Sequence, residues 1–285
     1  MRTLTMDTSA SPFHELHTRI LGGLDKGSDA PPPPESASLC DKYDADVCEA
    51  ARATWLQRMV NEHRSSAVFA SLVPQLIEAS STIDVQTAVL RAATDEIYHA
   101  TLCGNVVRAF GGEARATAEP TLALMPVHAG VSPLERAMRN VMFVGCLSET
   151  VAVGLITEER ELAVEPFVQW TLARVLSDEI AHARLGWQFL AQSLERLEPE
   201  ARTRTAAYLR VAFAYLERRE IELLNVTGAM PTEIVAQREA IGLCSGDGAR
   251  ELFYATLETV IVPRFESLGI AAQKAWSTRS EVAAA

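Results

Sequence analysis

Apolar side chains recur with a helical period from about Asp41 almost to the end of the chain. A period of 3.6 residues is typical of amphipathic α-helices, and no segment shows the alternation expected of strands around a hairpin turn. The pattern predicts long helices over about 41–79, 84–110, 133–162, 166–197, 199–224 and 248–277, the last bent at Pro263, and a short helix after Pro231. The expected fold class is therefore all-α.

Turn residues arrange the first four long helices as two hairpins. Ser80, Ser81 and Thr82 separate the first pair, and Pro166 opens the fourth helix directly after the third. A crossover of about twenty residues joins the hairpins, because Gly111 ends the second helix and the third begins only at Pro133. Two antiparallel hairpins joined by one long crossover predict a four-helix bundle.

The pattern also predicts three segments along the chain. Residues 1–38 contain the run Pro31–Pro34 and are expected to be disordered. Residues 39–197 are expected to form the bundle, and residues 198–285 to add further helices packed on it.

Charge and cysteine content narrow the possible partners and the compartment. A net charge of −11 and a pI near 5.1 disfavour nucleic acid and anionic membranes. No apolar run of spanning length and no secretory signal are expected, which predicts a cytoplasmic protein. The five cysteines are scattered and form no Cys-x-x-Cys pair, as expected in a reducing compartment: Cys40, Cys48, Cys103, Cys146 and Cys244.

One short motif occurs twice. The pattern Asp-Glu-Ile-x-His-Ala begins at Asp95 on the second predicted helix and again at Asp178 on the fourth. Residues three apart share one helix face, so Glu96 and His99 can bind the same metal ion, as can Glu179 and His182. A dinuclear site of this kind also takes one glutamate from each of the other two helices. The simpler alternative is two satisfied histidines on helix faces.

The third helix supplies a glutamate at the required height. The turn near residue 164 lies midway between Glu179 and position 149, and that position is Glu149. Glu158 and Glu159 would lie roughly 14 Å away along the axis at 1.5 Å per residue. Glu149 is therefore the predicted ligand.

The first helix supplies Glu62. The turn near residue 81 places the mirror position of Glu96 near residue 66, and Glu62 is the nearest acid, about one turn away. Glu49 and Glu78 miss that height by roughly 18–25 Å.

Charge and donor type favour a metal pair at these residues. Four carboxylates in apolar stripes balance two divalent cations and would be costly to bury without them. Oxygen and imidazole donors without thiolate predict iron, with manganese as the alternative. Asp95 and Asp178 are expected to accept the free ring N–H of the histidine on the partner helix.

The six-residue pattern resembles the ferritin-like di-iron carboxylate superfamily, which includes rubrerythrins and non-heme di-iron oxygenases. The resemblance covers about residues 41–197 and implies an O₂-activating oxidoreductase acting on a small organic substrate, with an external electron donor such as a ferredoxin or flavin reductase. It also implies a homodimer. The alternatives are a ferroxidase, peroxide-scavenging or iron-handling protein, and a non-catalytic helical protein. The related arylamine N-oxygenases carry a further histidine where this chain has Val175.

Overall fold

The structure, a computed structural model, describes residues 2–24, 31–118, 125–223 and 230–282. It is mostly helical, as the periodicity predicts. The α-helices are α1 (His14–Gly22), α2 (Ala45–Glu78), α3 (Ile83–Ala109), α4 (Pro133–Val141), α5 (Glu149–Leu162), α6 (Pro166–Glu195), α7 (Pro199–Leu223), α8 (Thr232–Ala240), α9 (Gly246–Thr256), α10 (Val262–Ser267) and α11 (Ala272–Ser277). Two strands accompany them, β1 (Arg2–Thr5) and β2 (Arg115–Ala118).

Helices α2 and α3 form the first hairpin and pack against each other. The turn between them places Ser80 in the left-handed region, with φ of 54°, and the Ser81 amide donates to the Leu76 carbonyl at 2.9 Å. This closure satisfies carbonyls that the end of α2 would otherwise leave free. Met59 and Phe69 on α2 belong to two separate apolar clusters, and Glu62 lies between them.

Helices α4, α5 and α6 form the second hairpin. Ser132 caps α4 by accepting the Glu135 amide, and Glu165 caps α6 by accepting the Val168 amide. A π-helical segment, Met142–Ser148, joins α4 to α5 and ends immediately before Glu149. Helix α6 contacts α3 as well as α5, which brings the two copies of the repeated motif together.

A glycine pair allows very close contact between the π-helical segment and α6. A Cβ atom on Gly145 would lie 2.7 Å from the Cα of Gly186. Gly186 follows His182 by one helical turn, and Gly145 precedes Glu149 by one turn. The contact therefore fixes the relative height of these two side chains.

The continuous helical stretch Pro133–Leu162 corrects one expectation. By length and hydropathy this stretch could cross a bilayer, although no such run was expected from the sequence. Of its most apolar window, 56% is buried against the rest of the protein. Such burial is typical of a core helix in a soluble protein.

Residues 1–38 are expected to be disordered, but their described part contains the strand β1 and the helix α1. β1 pairs antiparallel with β2, with Thr5 opposite Arg115. Leu21 of α1 is buried against Tyr98 of α3 and Val175 of α6. Only four residues in each strand pair, too few for an alternating pattern to be visible in the sequence. The division of the chain into three segments stays a prediction.

The C-terminal helices share an apolar cluster with the two hairpins. Phe213 of α7 contacts Phe265 of α10 and Trp276 of α11, and this group is continuous with the apolar cluster that includes Phe69. The short helix expected after Pro231 is α8. The single helix expected over 248–277 is instead divided into α9, a π-helical segment, α10 and α11, with Gly269 at a φ of 76° before the last of them.

Candidate metal centre

The six predicted side chains converge inside the protein in two overlapping groups. Within each group, the candidate ligand atoms all lie within 4.8 Å of one another. Glu96 and Glu179 belong to both groups. The arrangement forms two adjacent sites that share these two carboxylates: Glu62, Glu96, His99 and Glu179 in one, and Glu96, Glu149, Glu179 and His182 in the other.

Both histidines direct Nδ1 toward the carboxylates. His99 Nδ1 lies 3.3 Å from Glu179 Oε1 and 3.5 Å from Glu62 Oε2. His182 Nδ1 lies 3.2 Å from Glu96 Oε1 and 3.4 Å from Glu179 Oε2. The two ring centroids are 6.0 Å apart, less than the diameter of a helix. Each histidine therefore faces the glutamate of the other motif copy.

Asp178 and Asp95 accept hydrogen bonds from Nε2, the ring nitrogen of each histidine that faces away from the carboxylate cluster, as predicted from their positions. His99 Nε2 donates to Asp178 Oδ2 at 3.1 Å, and His182 Nε2 donates to Asp95 Oδ2 at a longer 3.5 Å. Asp178 also accepts Arg174 Nη1 at 2.5 Å, whereas Asp95 accepts Arg91 Nε at 2.6 Å. A proton held on Nε2 leaves the Nδ1 lone pair of each ring free for a metal ion.

Four atoms in the cluster are buried without a hydrogen-bond partner in the described residues. They are Glu96 Oε1, His99 Nδ1, Glu179 Oε2 and His182 Nδ1. An unsatisfied buried polar atom costs about 1–3 kcal/mol, so native proteins rarely keep several together. All four are metal-ligating atoms of the two overlapping groups, so cations bound in these groups would satisfy them.

Burial and mutual repulsion separate the pKa values of the carboxylates. Burial raises the pKa of both Glu96 and Glu149 well above the ordinary value, and the charge of Glu179 adds to that rise. Burial also acts upward on Glu179, but the adjacent Glu149 carboxyl and the His182 and His99 rings outweigh it and hold the pKa of Glu179 well below the ordinary value. Protons therefore occupy part of the cluster when no cation neutralises it.

Glu62 lies at the edge of the cluster and faces a cavity. Its side chain retains 17% exposure, more than the other five predicted ligands. The adjacent cavity has a volume of about 220 Å³. Its lining combines apolar side chains with the paired Arg58 and Glu159, and Cys103, one turn after His99, contributes to the wall.

Sequence reasoning missed the Arg58–Glu159 pair. It considered Glu159 only as a rejected ligand, and the structure indeed keeps Glu159 out of the cluster. Arg58 was not singled out, although it precedes Glu62 by one turn on α2. No signal in the sequence pairs residues so far apart, since the contact depends on how α2 packs near α5.

Other residues considered from the sequence lie outside the cluster. Cys146 packs in an apolar cluster, and Tyr98 is buried with the Arg174 guanidinium 5.4 Å from its ring centre. Val175 lines the cavity at the position where the N-oxygenases carry histidine. His63 is half-buried and belongs to neither ligand group.

Comparison of the chain with protein-family models, with curated proteins and with solved structures finds no match in any of the three. The assignment of this site therefore depends on its own chemistry: a helical protein with a buried carboxylate–histidine cluster that can hold a metal ion.

Proposed function

We propose that this protein is a ferritin-like four-helix-bundle oxidoreductase that binds two iron ions and uses O₂ to oxidise a small organic substrate. The bundle consists of α2, α3, the α4–α5 stretch and α6, each of which supplies ligands. The observation that carries the proposal is the pair of overlapping ligand groups that share Glu96 and Glu179.

Charge and donor chemistry support two divalent ions. Four glutamates balance the charge of two such cations, and each ion receives one histidine Nδ1. Carboxylate oxygen and imidazole nitrogen are the ligands of redox-active iron in proteins and also suit manganese. Glu62 and Glu149 would bind one ion each, while Glu96 and Glu179 lie where they can bridge.

Two iron ions in this site would supply the redox chemistry that activates O₂. In an oxygenation, one oxygen atom enters a C–H or N–H bond of the substrate and the other leaves as water. Two protons and two electrons complete the balance, and the electrons come from an external donor such as a ferredoxin or a flavin reductase.

The protein's own residues would orient the ligands and exclude water. Asp178 and Asp95 fix the rings of His99 and His182 through their Nε2 protons. Phe69 packs 5.1 Å from the His182 ring and shields that side from solvent. The partly exposed Glu62 leaves the cavity side as the route by which a substrate approaches.

The cavity favours an enzyme over an iron-handling protein. A ferroxidase or an iron store needs no organic pocket, whereas this pocket of about 220 Å³ adjoins Glu62. We expect a cytoplasmic homodimer. The mass of the assembly distinguishes the candidates, because a large cage would indicate iron storage.

Anaerobic loading with Fe(II) followed by exposure to O₂ tests the proposal. We expect about two irons per chain, consumption of O₂ and a transient absorbance change on oxygenation. A chain that binds no iron, or binds two without reacting with O₂, would contradict it.

Matched variants separate ligand loss from general damage. Glu149→Gln removes a predicted ligand, and Glu158→Gln changes an exposed glutamate on the same helix. We expect loss of bound iron only in the first. Similarly, His99→Ala should lose iron while His63→Ala retains it.

A further inference from the structure

Each of the four bundle helices contributes to the cavity beside Glu62, about one helical turn from its predicted metal ligand. Each bundle helix places a lining residue three or four positions from its ligand glutamate or histidine, on the same helix face. These residues are Arg58 before Glu62, Cys103 after His99, Ala152 after Glu149 and Val175 before Glu179. A molecule in this cavity would therefore contact the metal centre directly.

The far end of the cavity is polar. Arg58 pairs with Glu159 through one nitrogen, Nη2, which also lies 3.5 Å from the Gly242 carbonyl oxygen. Glu159 follows Glu149 on α5 by about 15 Å along the helix axis at 1.5 Å per residue. Glu159 is thus about three turns of α5 from Glu149, and Leu172 and Val175 also line the cavity wall.

The polar atoms without a hydrogen-bond partner at this end, among the described residues, are three donor nitrogens and one acceptor, Glu159 Oε2. Arg58 Nε and Nη1 have no hydrogen-bond partner within residues 2–24, 31–118, 125–223 and 230–282. Asn61 uses its Oδ1 to accept Gln57 and leaves its Nδ2 without a partner in the same ranges. Arg58 is also the more exposed member of its pair, at 22% against 8% for Glu159. A ligand that accepts hydrogen bonds fits this end better than one that donates them.

The Arg58 guanidinium is held in place before any ligand arrives. It lies over the Trp55 ring at 4.7 Å from the centroid, and Glu159 binds its Nη2. Because Nη2 is taken by Glu159 and lies near the Gly242 carbonyl, the guanidinium can offer a ligand a single hydrogen bond from Nη1 or from Nε, and its fixed position means that little side-chain entropy is lost.

We propose that this cavity binds a small organic acid, with its carboxylate on Arg58 and Asn61 and its apolar body directed toward the metal centre. The volume of about 220 Å³ equals about seven waters, which accommodates roughly ten non-hydrogen atoms. This substrate class rests on the proposed oxidase function, and it predicts oxidation at carbons remote from the carboxylate.

Calorimetric titration of the metal-loaded full chain with octanoate, 1-octanol and octylamine tests the proposal. We expect octanoate to bind at least about tenfold more tightly than 1-octanol, because hydrogen bonds to a charged group are lost in the alcohol. Equal binding of the acid and the alcohol, tighter binding of the amine, or no binding of octanoate would overturn it.

Substitutions at the Arg58 end of the cavity test whether octanoate binds there. The double variant Arg58→Leu/Glu159→Leu removes both charges, so no buried charge is left unpaired. We expect it to bind octanoate at least about tenfold more weakly, with Asn61→Leu weaker by a smaller factor. Arg64→Leu, which changes an exposed arginine on the same helix, should bind as the wild type does. Unchanged affinity in the double variant would refute the assignment.

The metal content of the same samples separates the two proposals. Octanoate binding that needs Arg58, in a chain that binds no iron, would refute the oxidase function but retain the acid site. Two irons per chain without octanoate binding would refute only the acid site.

Discussion

Glu135 and Glu149 are both buried on the stretch Pro133–Leu162, but the surroundings that compensate their negative charges differ. Glu135 is fully buried, and both carboxylate oxygens accept arginine donors, from Arg139 at 2.6 Å and Arg204 at 2.7 Å. Glu149, also buried, has no arginine partner in the described part of the chain and faces the cluster that contains four unpartnered atoms. Burial of an acid alone therefore does not indicate a metal site; convergent unsatisfied ligand atoms do.

Removal of the metal should have the largest effect on stability. One bound ion at a thousand times its dissociation constant contributes about 4 kcal/mol, which corresponds to about 10 °C in the unfolding midpoint. Thermal unfolding of the chelated and the Fe(II)-loaded chain, both under argon, measures the difference. The loaded chain should melt higher, and Glu149→Gln should lose most of that gain. Identical unfolding midpoints would show that protons, and not metal ions, neutralise the buried carboxylates of the cluster.

Glu135→Gln should destabilise the chain without affecting metal content. The change leaves the largely buried Arg139 without its counter-charge, and breaking a buried ion pair costs about 3 kcal/mol. Denaturant unfolding measures the loss, and Glu195→Gln on an exposed face of α6 serves as the control. A variant that lost its metal as well would show that the two buried acids are not independent.

Asp178→Asn should weaken metal binding about 10- to 100-fold, because it disturbs the hydrogen bond that orients His99. Asp95→Asn should have the smaller effect of the two, since its bond to His182 is longer. Anaerobic titration with Mn(II) gives both affinities, with Ser177→Ala as a neighbour on the same helix. Affinities that match the wild type would mean that the aspartates do not support the ligands.

The pH dependence of the metal-free chain is expected to be the smallest of these effects. Burial raises the pKa of Glu96 and Glu149, and hydrogen bonds to acidic neighbours outweigh burial and raise the pKa of His99 and His182. A raised pKa contributes stability that is lost as the pH increases toward the folded-state value. The low pKa of Glu179 acts in the opposite direction, but only as the pH falls below about 4.5.

The metal-free chain should therefore become less stable as the pH rises above 6.5, the ordinary pKa of histidine. The metal-loaded chain should not follow this trend, because metal binding replaces the protons. Thermal unfolding across this range checks both curves. A metal-free chain that gains stability with increasing pH would contradict the account of the cluster.

The ligand set could be predicted from the sequence because helices are regular. A fixed rise per residue links Glu149 to Glu179 across one turn, and the repeated motif marks α3 and α6. Glu62 misses its mirror position by about one turn and still joins the cluster.

Long-range contacts could not be predicted in the same way. The Arg58–Glu159 pair, the Gly145–Gly186 contact and the pairing of β1 with β2 all depend on how elements distant in sequence pack together. The burial of Glu135 against Arg204, a residue far along the chain, could not be predicted either.

Anomalous diffraction at the iron absorption edge, from crystals of the full chain loaded with Fe(II), tests the central claim most directly. The account predicts two peaks enclosed by the six side chains, one beside His99 and one beside His182, with Glu96 and Glu179 between them. An iron-free cluster, or a single peak bound elsewhere on the chain, would contradict it.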